Sequence, residues 1–257
     1  MLIDAHMHVG RWRHADFLGR SATLADTLGV LREVGIDGGV LSPTDECDNG
    51  GLLAGLLEAV GSGYPGPLWF VPWVRPGTGD LAWVEAHADL VAGIKLHPSL
   101  SRARVTDAAF APALAAAERH GWVVVVHCGR WQDMASYRFA LEAASRYPAA
   151  RWLLTHAGGD TPPLATAAAE AARGIDNVWF EISGVREYWV IERAVDVLGA
   201  DRYLLGSDYN LAHPAAYVAA VRAMRVGEPA RRRILGDNAA EVFGRPLAVR
   251  AGGGGSA

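Results

Sequence analysis

The stretch LIDAHMHVG, residues 2–10, opens the chain and sets the terms of the fold. It reads as a β-strand, apolar at its start and polar towards its end. Side chains in a strand alternate between faces, so His6 and His8, two positions apart, project the same way. Two imidazoles side by side suit one transition-metal ion. Two separate hydrogen-bonding histidines in a half-buried strand would look the same. Other short runs follow the same template: DGGVLSP (37–43), LWFVPWV (68–74), AGIKLHP (92–98), WVVVVHC (122–128), RWLLTHA (151–157), NVWFEIS (177–183) and RYLLGSD (202–208).

The starts of these eight runs lie 24 to 35 residues apart, the length of one strand–helix unit. Alanine-rich amphipathic segments fill the gaps, including 23–35, 107–121 and 214–224. Pro112 falls where it either starts the second of these helices or kinks it. Strands alternating with helices imply a parallel sheet. Eight such units match an α/β fold of the (β/α)8, or TIM, barrel type. No Gly-rich phosphate loop follows the first strand, which argues against a doubly wound sheet. Nothing reads as an interdomain linker. The expectation is one barrel domain over residues 1–247, with an extra helix at 229–244, and a flexible Gly-rich tail at 248–257.

The composition is that of an ordinary globular protein, 51% hydrophobic and 20% charged, with a net charge of −4. That charge gives no reason to expect nucleic acid or an anionic membrane as partner. Two cysteines, Cys47 and Cys128, make a disulfide scaffold improbable. No leader of signal-peptide type and no apolar run of bilayer length is present, so a cytoplasmic location is expected.

Polar residues fall at the C-terminal ends of the strands: His6 and His8, Lys95 and His97, His127, His156 and Asp208. In a barrel those ends surround one mouth, where active sites form. His14, His87, His120 and His213 fall in loops or helices and read as structural or solvated.

Taken together, DAHMHVG, GIKLHP, VVVVHCG, LLTHAGG, LLGSDYN and ILGDNAAEVFG resemble the amidohydrolase superfamily, and within it the amidohydrolase-related family. The likeness spans residues 2 to 244. The resemblance implies that His6, His8, His127 and Asp208 hold one divalent metal, zinc first and manganese second, with His156 beside it. Imidazoles bind zinc without cancelling its charge, so water becomes a nucleophile near neutral pH. Asp208 could then move the proton, and His156 could polarise a carbonyl or orient water. Read without the family, Asp208 could instead cap the helix that follows.

Lys95 is the chain's single lysine among 23 arginines. Three readings stay open: a carbamate bridging a second metal, as in some branches of the superfamily, an ammonium that binds a substrate anion, or a strand-end lysine reaching solvent. The deoxyribonuclease branch would carry a glutamate here. His97 points the same way as Lys95 and reads as support for the loop. Trp12, Arg75, Arg130, Trp131, Arg186, Trp189 and Tyr209 lie in mouth loops and would suit a small, carboxylate-bearing substrate. Asp45, Glu46 and Cys47 could also reach the site, with Cys47 read as structural.

The expected function is hydrolysis of an amide, cyclic amide or lactone bond, with Asp208, His156 and Lys95 as catalytic groups. The alternative is non-oxidative decarboxylation of a hydroxy- or aromatic carboxylic acid on the same metal. The segment after His8 is short for the insertion such decarboxylases carry. A third reading is a non-catalytic metal- or ligand-binding barrel. A homo-oligomer is compatible with the sequence.

Overall fold

The computed structural model describes residues 1–129 and 131–248; Arg130, expected at the rim, and positions 249–257 of the tail lie outside the described residues. The strands are β1 (Ile3–Arg11), β2 (Ser21–Ala22), β3 (Gly38–Pro43), β4 (Leu68–Phe70), β5 (Gly93–Leu96), β6 (Val123–Val126), β7 (Arg151–Leu154), β8 (Val178–Glu181) and β9 (Tyr203–Leu204). Eight of these correspond to the eight expected runs. The addition is β2, which pairs antiparallel with the end of β1.

Parallel pairing runs β1–β3–β4 in one sheet and β5–β6–β7–β8–β9 in the other. Backbone hydrogen bonds join the two sheets at both seams. Between β4 and β5, Phe70 accepts from Ala92 (3.0 Å), Pro72 from Lys95 (2.8 Å) and Lys95 from Val74 (2.9 Å). Between β9 and β1, Leu205 accepts from Ala5 and His6 accepts from Asp208, both at 2.8 Å. The cylinder is thereby closed, as the spacing of the runs requires.

Several strands are shorter than expected. Pro43 carries no N–H, so pairing of the 68–74 run with β3 stops at the bond from Val71 N–H to Leu41 O (2.9 Å); beyond it, Asn49 brackets Trp73, accepting from its N–H (2.8 Å) and donating to its carbonyl (2.9 Å). The last run, expected over 202–208, pairs with β8 only through Leu204, because the Leu205 N–H turns to Ile234 O (2.7 Å).

Helices cover the outside. Leu24–Val34 begins at a capping box between Thr23 and Asp26 and ends at Gly35. Ala111–His120 has Pro112 in its first turn, so the proline starts this helix rather than kinking it. The expected extra helix is three consecutive pieces: Glu228–Arg232, a π-helical turn Arg233–Asp237, and Asn238–Phe243.

The core divides into two shells. Ile3, Ala5, Val40, Val71, Val123, Val125, Leu153 and Leu204 fill the barrel interior, plugged from below by Val242 and Phe243. Leu2, Met7, Leu41, Ile94, Leu96, Val124 and Val126 face the helices instead. This division reveals what aims the two N-terminal histidines. Simple alternation would send residues 3, 5 and 7 inward and His6 and His8 outward. The β1–β3 register shifts by one residue between Asp4 and Met7. Such a bulge reverses the facing of everything beyond it, so His6 and His8 turn in and Met7 turns out.

The plug is tied on by polar bonds as well as by apolar packing. Gly236 passes so close to the start of β1 that a Cβ there would lie 2.2 Å from the Met1 carbonyl oxygen. Asn238, 1% exposed, donates to the carbonyls of Ala200 and Tyr203, each at 2.7 Å. Asn238→Ala would strand both acceptors, and an unsatisfied buried group costs ~1–3 kcal/mol. A loss of about 2 kcal/mol in unfolding free energy is expected, measured by urea denaturation.

Candidate metal centre

Every polar strand-end residue singled out from the sequence reaches one cavity at the barrel mouth. This cavity, of about 460 Å³, is lined by His6, His8, Lys95, His97, His127, His156 and Asp208, with Trp12, Phe17, Trp131, Asp160, Gly184, Arg186 and Leu211 above them.

His6 and His8 bring their Nε2 atoms within 3.0 Å of each other. Asp208 Oδ1 lies 3.7 Å from the first and 3.3 Å from the second. Asp208 has a left-handed backbone (φ 59°), and the next long helix, Pro214–Ala223, is capped by His213. The helix-cap alternative for Asp208 therefore falls away. Asp4 reinforces this corner: its Oδ1 accepts from the N–H groups of His6 (3.1 Å) and Ser207 (3.0 Å), locking β1 to the chain that carries Asp208.

The protons on these rings follow from their partners. Burial, and then the charge of Lys95, push His6 well below the ordinary imidazole range, so the ring is neutral. Its Nδ1 donates to Glu181 Oε1 (3.0 Å), which leaves Nε2 a bare acceptor. His8 Nδ1 donates to the Pro43 carbonyl (3.0 Å), so in the neutral ring Nε2 is again the lone-pair nitrogen. With both rings in these tautomers, two bare nitrogens and a carboxylate oxygen face one another, an arrangement that a cation satisfies. Lys95 supplies one in part, donating from Nζ to His6 Nε2 at 2.8 Å. Three atoms separated by 3.0, 3.3 and 3.7 Å lie on a circle of radius about 2 Å, close to a zinc–ligand bond length. The residues fit a divalent metal both in chemistry and in spacing.

Lys95 is 1% exposed, which excludes the reading in which it reaches bulk solvent. Burial lowers its ammonium to about 8. His127 is half-buried, and desolvation together with the neighbouring His97 holds it neutral, its Nδ1 3.2 Å from His156 Nε2. It lies outside the His6–His8–Asp208 group, whose donor atoms are all within 4.8 Å of one another. His97 stacks between Trp73 (5.4 Å between centroids) and His127 (3.9 Å), and its Nδ1 accepts from Leu100 N–H, a supporting position.

His156 should face away from the barrel by alternation from Leu153. Left-handed geometry at His156 and Ala157 (φ 56° and 51°) swings its ring into the cavity instead. Such strain in non-glycine residues gathers at functional sites. Both ring nitrogens are engaged, Nδ1 with Ser183 Oγ (2.8 Å) and Nε2 with His127.

Some expected rim residues lie elsewhere. Arg75 is tied to both oxygens of Asp80 (2.8 and 3.0 Å), and neither Arg75, Trp189 nor Tyr209 lines this cavity. Asp45 and Glu46 hold the rim loop by accepting backbone N–H groups of Arg13, His14 and Arg11. Burial raises the Cys47 thiol to about 12, so it is no ready nucleophile. Sequence reasoning missed Phe17, Asp160, Leu211, and above all Glu181 and Ser183. The signal for Glu181 was present: a carboxylate inside the apolar strand VWFE, at a position where alternation with Trp179 directs it inward.

The chain resembles several solved structures over nearly its full length. A 5-carboxyvanillate decarboxylase from Sphingomonas paucimobilis is 17% identical, with a TM-score of 0.72, covering 94% of this chain and 98% of the other. A putative 2-pyrone-4,6-dicarboxylic acid hydrolase from Pseudomonas putida is 24% identical, with a TM-score of 0.73 and coverages of 95% and 97%. An amidohydrolase from Burkholderia multivorans with bound zinc is 20% identical, with a TM-score of 0.74 and coverages of 96% and 100%. At these identities the likeness establishes the barrel fold. No curated protein matches the chain. The amidohydrolase family model, however, matches residues 3–245, and the chain belongs to that family.

Proposed function

We propose that this protein is a metal-dependent hydrolase that cleaves an amide, cyclic amide or lactone bond of a small carboxylate-bearing substrate. The observation that carries the reading is the meeting of His6 Nε2, His8 Nε2 and Asp208 Oδ1 at the spacing of a coordination sphere. His127, on the same cavity wall, is the candidate fourth donor. Zinc is the favoured ion, given two imidazoles and a carboxylate, and the Burkholderia multivorans structure holds zinc. An ion bound there supplies Lewis acidity, which makes water nucleophilic near neutral pH.

The chain's own groups do the rest. Asp208, with its side chain 18% exposed at the cavity floor, takes the proton from attacking water and passes it to the leaving nitrogen or oxygen. Lys95 stands over His6 and stabilises negative charge on the substrate oxygen. His156 holds His127 through its Nε2 and is a support in this arrangement. Trp12 and Phe17, 4.5 Å apart between centroids, and Trp131 form walls suited to a flat organic body. Arg186 lines the same cavity and has no ion-pair partner among the described residues, so its guanidinium is available to a carboxylate.

Three measurements test this. Metal analysis of gently purified protein is expected to give about one zinc per chain, unchanged by bicarbonate; a second equivalent gained with bicarbonate would instead point to carboxylated Lys95. Turnover of carboxylate-bearing lactones and amides in oxygen-18 water should place one solvent oxygen in the product. Carbon dioxide release without solvent oxygen would establish a lyase. Arg186→Gln is expected to raise KM for such substrates ~10–100-fold with little change in kcat, the worth of a hydrogen bond to a charged group.

A further inference from the structure

Among the described residues, more hydrogen bonds meet on Glu181 than on any other carboxylate beside the cavity. It is fully buried. Its Oε1 accepts from His6 Nδ1 (3.0 Å), His156 N–H (2.8 Å) and Ser183 Oγ–H (2.8 Å), and its Oε2 accepts from Ser183 N–H (2.7 Å). Space for the carboxylate comes from Gly206 on the neighbouring chain segment, where a Cβ would lie 2.3 Å from Oε2.

We propose that Glu181 is a positioning residue that fixes the tautomer of His6 and holds the turn carrying His156, so that both rings keep their hydrogen on Nδ1, with His6 Nε2 turned to the cavity and His156 Nε2 to His127. The inference rests on the metal-centre reading for its purpose, but its chemistry stands on the hydrogen bonds alone. Backbone N–H groups donate to both oxygens of Glu181 and hold it as an acceptor, so the proton between Glu181 and His6 belongs to Nδ1. Ser183 spends its hydroxyl hydrogen on Glu181 and therefore accepts from His156 Nδ1 (2.8 Å); the Ser183 carbonyl, 3.3 Å away, can likewise only accept. His156 thus carries its hydrogen on Nδ1 as well. One carboxylate orders a ring on the first strand and, through one serine and one backbone N–H, a ring just beyond β7.

Glu181, His6 and His156 also bring donor atoms within 4.8 Å of one another and could be taken for a second metal site. The hydrogen bonds argue against it. A cation there would have to displace two backbone N–H groups and a hydroxyl already bonded to the carboxylate, and Glu181 has no exposure from which to recruit another ligand. The carboxylate serves as an outer partner of the ligand His6, the arrangement by which proteins orient metal-binding imidazoles.

The test uses the full-length protein, stripped of metal with a chelator and labelled with nitrogen-15 at histidine. In the wild type, the His6 and His156 signals should show hydrogen on Nδ1 and a bare Nε2. Hydrogen on His6 Nε2 would overturn the proposal without any mutant. Zinc titration followed by calorimetry should then give an affinity ~10–100-fold lower for Glu181→Ala than for the wild type, together with loss of the single His6 tautomer. Glu181→Gln keeps an acceptor oxygen for His6 and should recover most of both. Equal zinc affinity in wild type and Glu181→Ala would also overturn the proposal. A wild-type chain that shows the Nδ1–H tautomers yet binds no zinc would refute the metal-centre reading and leave the tautomer assignment standing.

Discussion

The seam between the first and last strands is the constraint on which the rest depends. The bonds from Ala5 to Leu205 and from Asp208 to His6 close the cylinder, and they also carry the carboxylate of Asp208 to the two imidazoles of β1. Asp4 adds a side-chain clamp across the same seam. Burial raises its carboxyl to about 7, a cost that the fold accepts where two ligand-bearing segments must stay in register. Without closure here, His6, His8 and Asp208 would be polar residues at three unrelated strand ends. With it, they form a cluster of lone pairs that calls for a cation.

Around that cluster the protein builds order outward. Pro43 and Glu181 each take the Nδ1 hydrogen of one histidine, which turns both Nε2 atoms toward the cavity. His97 stacks on His127 and Trp73, and His156 braces His127 from the other side. The walls above are aromatic, with Arg186 and Asp160 as charged groups at the lining. Apolar walls over a polar floor strengthen electrostatic interactions with a substrate that displaces water. This is a cavity arranged for a small organic molecule with a polar reacting end.

Much of this was legible in the sequence, and the failures have physical causes. The eight runs and their spacing give the barrel, and the shared facing of His6 and His8 follows from strand alternation. Which way that pair faces does not follow from alternation, because it depends on a one-residue bulge that no local pattern announces. His156 enters the cavity only because two residues adopt left-handed backbone, a tertiary effect. The apolar runs 68–74 and 202–208 outlast their pairing with β3 and β8, because Pro43 lacks a donor and the Leu205 N–H turns to a helical carbonyl. Arg75 was read as a mouth residue because its position after β4 suits one, but Asp80, five residues on, claims its guanidinium. Glu181 is masked by the apolar residues around it in β8, although its carboxylate shares a face with the barrel interior.

The most direct test of the account is the position of the metal itself. Crystals grown with zinc, measured above and below the zinc absorption edge, should show one anomalous peak at the barrel mouth, bonded by His6 Nε2, His8 Nε2 and the Asp208 carboxylate at ~2.0–2.2 Å. Zinc bound away from those three atoms, or a mouth that stays empty at saturating zinc while the barrel is intact, would contradict it.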